Sequence, residues 1–200
     1  SKMINEKYFF EEKVFSKKDF VFTSEPYDEI ITQILKLKKS GRVLDLGCGE
    51  GGTALALAKK GFDVTCVDLS ATVLSFLKKE AITRKVPLTL LCKDLDFFEP
   101  QGSYDIILGL GVLHFLKKQR VSELFSLLKK QTSNQGIHIF EVLLEGDPSQ
   151  EKTSQGYYFK KGELKEKYTD WNILFYKEFK SHDDEEHWDN HLAHIVAMKI

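Results

Sequence analysis

Apolar and polar positions alternate in blocks along this chain, and the period switches from block to block. Short apolar runs of strand character recur at Arg42 to Leu46, Asp63 to Val67, Leu88 to Cys92, Tyr104 to Leu108 and Ile137 to Leu144. Between them apolar residues fall every third or fourth position, the spacing that turns one helix face toward a core. Pro26 to Lys39 predicts a helix with Ile30, Ile31, Ile34, Leu35 and Leu37 as its stripe and Ser24 available as a cap. Thr53 to Lys60 predicts a second helix, stopped by Gly61. Ser70 to Arg84 predicts a third, and Lys118 to Gln131 a fourth with Val121, Leu124, Leu127 and Leu128 on one face. After Leu144 the rhythm changes: a short helix (Lys161 to Tyr168) precedes Trp171 to Tyr176, a polar loop, and Leu192 to Met198, which read as an antiparallel pair. The expected fold is α/β, a doubly wound, mostly parallel seven-stranded sheet with helices on both faces and an antiparallel C-terminal hairpin. Ligands of such sheets bind beyond the carboxyl ends of the strands.

The first strand runs into Leu44-Asp45-Leu46-Gly47-Cys48-Gly49-Glu50-Gly51-Gly52. Glycines are needed where backbone turns tightly and a ligand comes close, because a Cβ would obstruct one or the other. The helix start beyond them presents unpaired N–H groups. Gly47, Gly49 and Gly52 also satisfy the Gly-x-Gly-x-x-Gly spacing of dinucleotide enzymes. Asp45, two residues ahead of the first glycine, argues against a pyrophosphate, which it would repel. It suits a cofactor carrying an ammonium and a sulfonium, which S-adenosylmethionine does. The second strand ends in Asp68, where an acid can accept both ribose hydroxyls. The third is followed by Lys93-Asp94-Leu95. Taken singly, each acid could be no more than a cap or turn residue.

Asp45, Gly47, Gly49 and Gly51 resemble motif I of the class I S-adenosylmethionine-dependent methyltransferases, Asp-x-Gly-x-Gly-x-Gly, with Asp68 and Asp94 in register behind it. The resemblance implies a Rossmann-like sheet closed by a hairpin. It also implies S-adenosyl-L-methionine as cofactor, leaving as S-adenosyl-L-homocysteine, held by Asp45, Gly47, Cys48, Gly49, Gly51, Asp68, Leu69, Asp94 and Leu95. In that family the acid after the third strand accepts from the adenine amino group and the next backbone N–H meets the ring. Gly109, Leu110 and Gly111, after the fourth strand, should flank the methionine part. The segment Tyr158 to Trp171, Val112-Leu113-His114-Phe115-Leu116, and Asp19 to Pro26 are similar to the tellurite-resistance-type branch of these enzymes. The general resemblance covers about residues 26 to 144, and the branch resemblance adds both ends. Gly52 departs from it, standing where many relatives carry a longer side chain, and the insert from Gly146 to Gln155 is poorly matched.

Composition narrows the setting. Two hundred residues with 42% hydrophobic and 30% charged content suit one soluble domain. Residues 1–25 are expected to form a lid, 26–144 the cofactor core and 145–200 the acceptor side. A net charge of −1 supplies no basic field for nucleic acid, and no apolar run is long enough to span a bilayer. The start, Ser1-Lys2-Met3, has no signal-peptide apolar region, with Met3 read as the native start. Three cysteines, Cys48 in the turn and Cys66 and Cys92 in strands expected to be buried, fit reduced thiols in a cytoplasmic protein. The expected partner is a small-molecule methyl acceptor, with no nucleic acid or membrane. Oligomeric state is not legible.

Methyl transfer from a sulfonium is an in-line displacement, so alignment and a dry pocket matter more than a catalytic side chain. A base is needed only if the acceptor arrives protonated. Candidates are His114 and, in the stretch Lys180 to His191, His182 and His187; four of the chain's six histidines fall between His182 and His194. The plain alternatives are a polar solvated hairpin for that stretch and simple packing beside the cofactor for His114. Metal binding there matches no recognised spacing, and no metal is expected. Tyr8, Phe9, Phe10, Phe15, Phe20, Phe22 and Tyr27 crowd the first 27 residues, either as a lid over a sulfonium or as ordinary packing. The rival classes are a nicotinamide oxidoreductase and a catalytically silent cofactor-binding protein.

Overall fold

The computed structural model describes residues 10–152, 156–183 and 188–200. The chain divides into two compact units, Ser1–Phe98 and Glu99–Ile200. The first carries a π-helical turn (Phe10–Phe15), α1 (Asp28–Leu37), β1 (Arg42–Leu46), α2 (Gly52–Lys59), β2 (Asp63–Asp68), α3 (Ala71–Arg84) and β3 (Thr89–Cys92). β1 and β2 pair in parallel with Leu44 opposite Thr65, and β2 and β3 with Val67 opposite Leu91. After Arg42 every residue of β1 is buried, as expected of a strand covered on both faces. α1 buries Ile30, Ile31 and Ile34, while Leu37 is exposed at the helix end. α3 is capped as its sequence suggests, with the Ser70 hydroxyl accepting from the Val73 N–H at 3.0 Å.

Ser24 does not cap α1. Tyr27 occupies the cap position without a side-chain bond. Ser24 is buried in a left-handed conformation (φ 46°), and its hydroxyl accepts from the Arg84 guanidinium at 2.9 Å. Cys92 is also corrected: it is exposed at the end of β3 rather than buried within it.

The second unit holds β4 (Tyr104–Leu110), a 3-10 turn (Leu113–Phe115), α4 (Lys118–Lys130), β5 (Thr132–Leu143), a second 3-10 turn (Pro148–Lys152), α5 (Glu163–Glu166), β6 (Asn172–Asp183) and β7 (Trp188–Met198). β4 and β5 are parallel, whereas β7 runs antiparallel to both β5 and β6. The seven strands order as β3-β2-β1-β4-β5-β7-β6, the expected mostly parallel sheet with its hairpin. β5 begins five residues earlier than its apolar run, because polar Thr132 to Gln135 conceal a strand start that includes Gln135 at φ 58°. Phe140, Phe159 and Tyr168 are the largest fully buried side chains of this unit, with the Phe125 ring 5.0 Å from Phe140 and 5.9 Å from Tyr168. Buried His138 sits among them, one ring nitrogen 2.8 Å from Thr132 Oγ1 and the other 2.8 Å from the Tyr168 hydroxyl.

The strands reach further into the polar stretch from Lys180 to His191 than its composition suggests: β6 extends to Asp183 and β7 starts at Trp188, with Lys180 paired to His191 and Asp183 to Trp188. The polar composition marks an exposed hairpin extension, since a two-stranded ladder satisfies its own backbone without apolar cover. Among the described residues no helix is long and apolar enough to cross a membrane.

Candidate active site

The glycine turn is held from both sides by β2. The N–H groups of Gly47 and Cys48 donate to the Val67 carbonyl at 2.7 and 3.1 Å, so the turn folds back over the strand that ends in Asp68. Gly47, Gly49 and Gly51 have φ of 66°, 54° and 72°, conformations that side chains resist. Two of these glycines have different further reasons. A Cβ on Gly51 would lie 2.5 Å from Leu77 of α3, whereas one on Gly49 would meet nothing within 4 Å. Gly51 is a packing glycine; Gly49 borders open space.

Two carboxylates face this turn. Asp68 accepts from the Gly49 N–H through one oxygen and from the Ser70 N–H through the other, each at 2.9 Å. A carboxylate has about four lone-pair sites in all, so one side chain can accept several hydrogen bonds at once. Asp45 is buried at the end of β1, and burial together with the nearby Asp68 charge pushes its carboxyl up to about 7. A nearby positive charge would favour the ionised form of Asp45, and a cofactor with an α-ammonium and a sulfonium supplies one. An incoming diphosphate would do the opposite. An acidic glycine turn with open space beside Gly49 therefore fits S-adenosylmethionine better than a dinucleotide.

Cys48 is not a poised nucleophile. A hydrogen bond with Cys66, burial and the two nearby carboxylates all hold its thiol well above the usual range. Asp94 and Leu95 follow β3, where Asp94 Oδ1 accepts from the Asp96 N–H at 2.9 Å in an Asx turn and Leu95 is buried. Leu69 is half-buried beside Asp68, and its carbonyl accepts from the Cys92 thiol.

In the second unit, Gly109 and Leu110 close β4, and the Gly111 N–H donates to the Glu141 carbonyl at 2.9 Å. Glycine is required at 109 by Phe140, whose ring would lie 2.3 Å from an added Cβ. His114 stands in the 3-10 turn beyond them, with its ring 4.1 Å from that of Phe115. Its Nδ1 is buried with no hydrogen-bond partner among the described residues. Burial outweighs the nearby Asp147 charge and lowers its pKa to about 4, so the ring is neutral at pH 7. His182 lies on exposed β6, its Nδ1 3.0 Å from Asp189 on β7. His187 is outside the described residues, as are Tyr8 and Phe9 of the aromatic N-terminus. The described aromatics there touch in series: Phe10 tilted against Phe15, Phe15 edge-on to Phe20, and both Phe20 and Phe22 tilted against Phe76 of α3.

Two residues escape a reading by motif. Glu50, inside the glycine turn, accepts from the Thr23 N–H at 2.6 Å. Asp147 is buried, accepting from the His191 N–H at 2.8 Å and the Ser149 N–H at 2.9 Å. Gly146-Asp147-Pro148-Ser149 is a turn signal that marks the second; for the first the only signal is an acid among glycines.

A family model described as "Tellurite resistance protein TehB" matches residues 7–191. The chain belongs to the TehB family. "Probable S-adenosyl-L-methionine-dependent methyltransferase TehB" of Haemophilus influenzae (strain ATCC 51907 / DSM 11121 / KW20 / Rd) is 29% identical over 148 residues, which are 74% of this chain and 52% of that protein. The crystal structure of TehB from Haemophilus influenzae superposes with a TM-score of 0.80 at 26% identity, covering 98% of this chain and 67% of the other. Magnesium protoporphyrin IX methyltransferase from Synechocystis PCC 6803, solved with bound S-adenosylhomocysteine, shares the fold at a TM-score of 0.68 and 18% identity, over 86% of this chain and 81% of that one. The chain spans about half the length of the curated TehB relative it matches. The cofactor expected from Asp45, Asp68 and the glycines is the one named for the TehB relative.

Proposed function

We propose that this TehB-family chain transfers a methyl group from S-adenosyl-L-methionine to a small-molecule acceptor: a chalcogen oxyanion such as tellurite or selenite, a thiol, or another small metabolite. The observation that carries the reading is the acidic pair at the glycine turn, Asp45 and Asp68, with a carboxyl pushed up to about 7 where a cationic ligand would relieve it. When bound, the sulfonium supplies an activated methyl group. The chain's part is then to bind and orient. Asp68 would accept the ribose hydroxyls, Asp94 the adenine amino group with Leu95 against the ring, and Gly109, Leu110 and Gly111 would border the methionine end.

On the acceptor side we assign His114, whose unpartnered, neutral Nδ1 can accept a proton or hydrogen bond from an acceptor that arrives protonated. His182 and His187 are secondary candidates on the hairpin. Tellurite or selenite needs no base, so these histidines would matter for thiols and phenols and little for oxyanions. The reduced cysteines fit a cytoplasmic setting. The test is a methyl-transfer screen with labelled cofactor over tellurite, selenite, thiols and phenolic acids. Transfer to at least one is expected. Tight binding of S-adenosylhomocysteine with transfer to none would leave a silent cofactor-binding protein instead.

A further inference from the structure

The segment Thr23 to Tyr27 lies across the glycine turn and is fastened by five hydrogen bonds. Glu50 Oε2 accepts from the Thr23 N–H (2.6 Å), the Thr23 hydroxyl (3.2 Å) and the Ser24 N–H (3.4 Å). The Tyr27 N–H donates to Thr53 Oγ1 at 3.2 Å, at the start of α2. The Arg84 guanidinium, at the end of α3, donates to the Ser24 hydroxyl. Finally, Gly52 is a glycine because the segment runs directly over it: a Cβ there would lie 2.2 Å from the Glu25 carbonyl oxygen and 2.6 Å from that of Ser24. This accounts for the one place in the turn where the sequence departs from the branch it resembles.

The fastening is not passive backbone convenience. Ser24 is held at φ 46°, a region costly for a residue with a side chain, and it persists there because its surroundings overdetermine it. The carboxylate that gathers the donors belongs to the residue between Gly49 and Gly51, so moving the strap moves the turn.

We infer that Glu50 is a positioning residue that latches the Thr23–Tyr27 strap onto the cofactor turn and thereby sets how fast the cofactor and its product exchange. The inference rests on the cofactor assignment proposed above. A closed strap keeps Gly49 and Gly51 in place for binding; releasing it opens the turn and lets the adenosyl ligand leave. Two of the three donors to Glu50 are backbone N–H groups, which side-chain changes in the strap would leave intact. Neutralising the acceptor therefore weakens the latch more selectively than altering Thr23.

The experiment measures S-adenosylhomocysteine binding and dissociation for the full chain and for Glu50→Ala, Glu50→Gln and Gly52→Ala, with thermal melting of each. Glu50→Ala is expected to speed dissociation about tenfold and raise KM for the cofactor, with kcat little reduced. Glu50→Gln, which keeps an acceptor oxygen but no charge, should fall between it and the parent. Gly52→Ala pushes the strap away from the other side with Glu50 intact, and should reproduce the Glu50→Ala dissociation rate. Unchanged dissociation in both Glu50→Ala and Gly52→Ala, or a loss of melting temperature without any change in exchange, would overturn the latch. If the parent chain itself binds no S-adenosylhomocysteine, the cofactor assignment fails instead.

Discussion

Asp68 holds the Gly49 N–H at 2.9 Å, tying the acid at the end of β2 to the middle glycine of the turn after β1. One side chain thus shapes the turn, and the proposed function gives the same side chain the ribose. Replacing Asp68 with Ala is expected to weaken S-adenosylhomocysteine binding by about 1–3 kcal/mol, the range for lost hydrogen bonds to a charged group. Isothermal calorimetry of the two proteins checks this, and equal affinities would remove the ribose role.

Asp45 gives a pH dependence with a definite sign. Its carboxyl is raised from 3.8 to about 7, so the folded chain keeps a proton that the unfolded chain has already released. Stability of the cofactor-free protein is therefore lost as pH rises between those values. At about 1.4 kcal/mol per pH unit the penalty reaches a few kcal/mol above pH 7. Asp45→Asn should melt at a higher temperature than the parent at pH 8 and close to it at pH 4. A cationic ligand restores the charged form, so binding near pH 7 should release a proton. The observed heat should then vary with the ionisation enthalpy of the buffer.

Acid has the opposite effect through the histidines. Burial lowers His138 to about 3 and His114 to about 4, both from 6.5. Lys129 and Lys199 add to the effect at His138. Each group contributes stability above pH 6.5 that is lost as pH falls toward its folded value. For His138 alone, about 2 kcal/mol should be gone at pH 5. Asp45 acts in the opposite direction over this interval, so urea denaturation of the Asp45→Asn chain at pH 7 and pH 5 measures the difference, and coincident midpoints there would contradict it.

Gly109 tests packing separately from chemistry. An added methyl group at 2.3 Å from the Phe140 ring overpacks a buried site, and Gly109→Ala should destabilise the fold by about 1–3 kcal/mol. Phe140→Leu in the same chain should recover part of that loss in a denaturation experiment. No recovery would show that another contact makes glycine necessary.

Much of the core is legible in the sequence. β1 and β2 appear where their apolar runs place them, because a buried parallel strand has little freedom in composition. The turn was legible because three glycines and two acids have no cheaper explanation together. Other features were hidden because their cause is long-range. Ser24 sits four residues before α1 begins at Asp28 and looks like a cap, yet its fate is decided by Arg84, sixty residues away. The hairpin extension past Phe179 is polar on both strands, so alternation could not mark it. His114 was visible as a candidate, but the unpartnered Nδ1 that singles it out is a property of packing. Glu50 reads as one more charged residue until the strap above it is seen.

The most direct measurement is a crystal structure of the chain with S-adenosylhomocysteine. The account predicts the ribose hydroxyls on Asp68, the ammonium toward Asp45, and the adenosyl group over Gly49. A ligand bound elsewhere, with its ribose hydroxyls out of reach of Asp68, would contradict it.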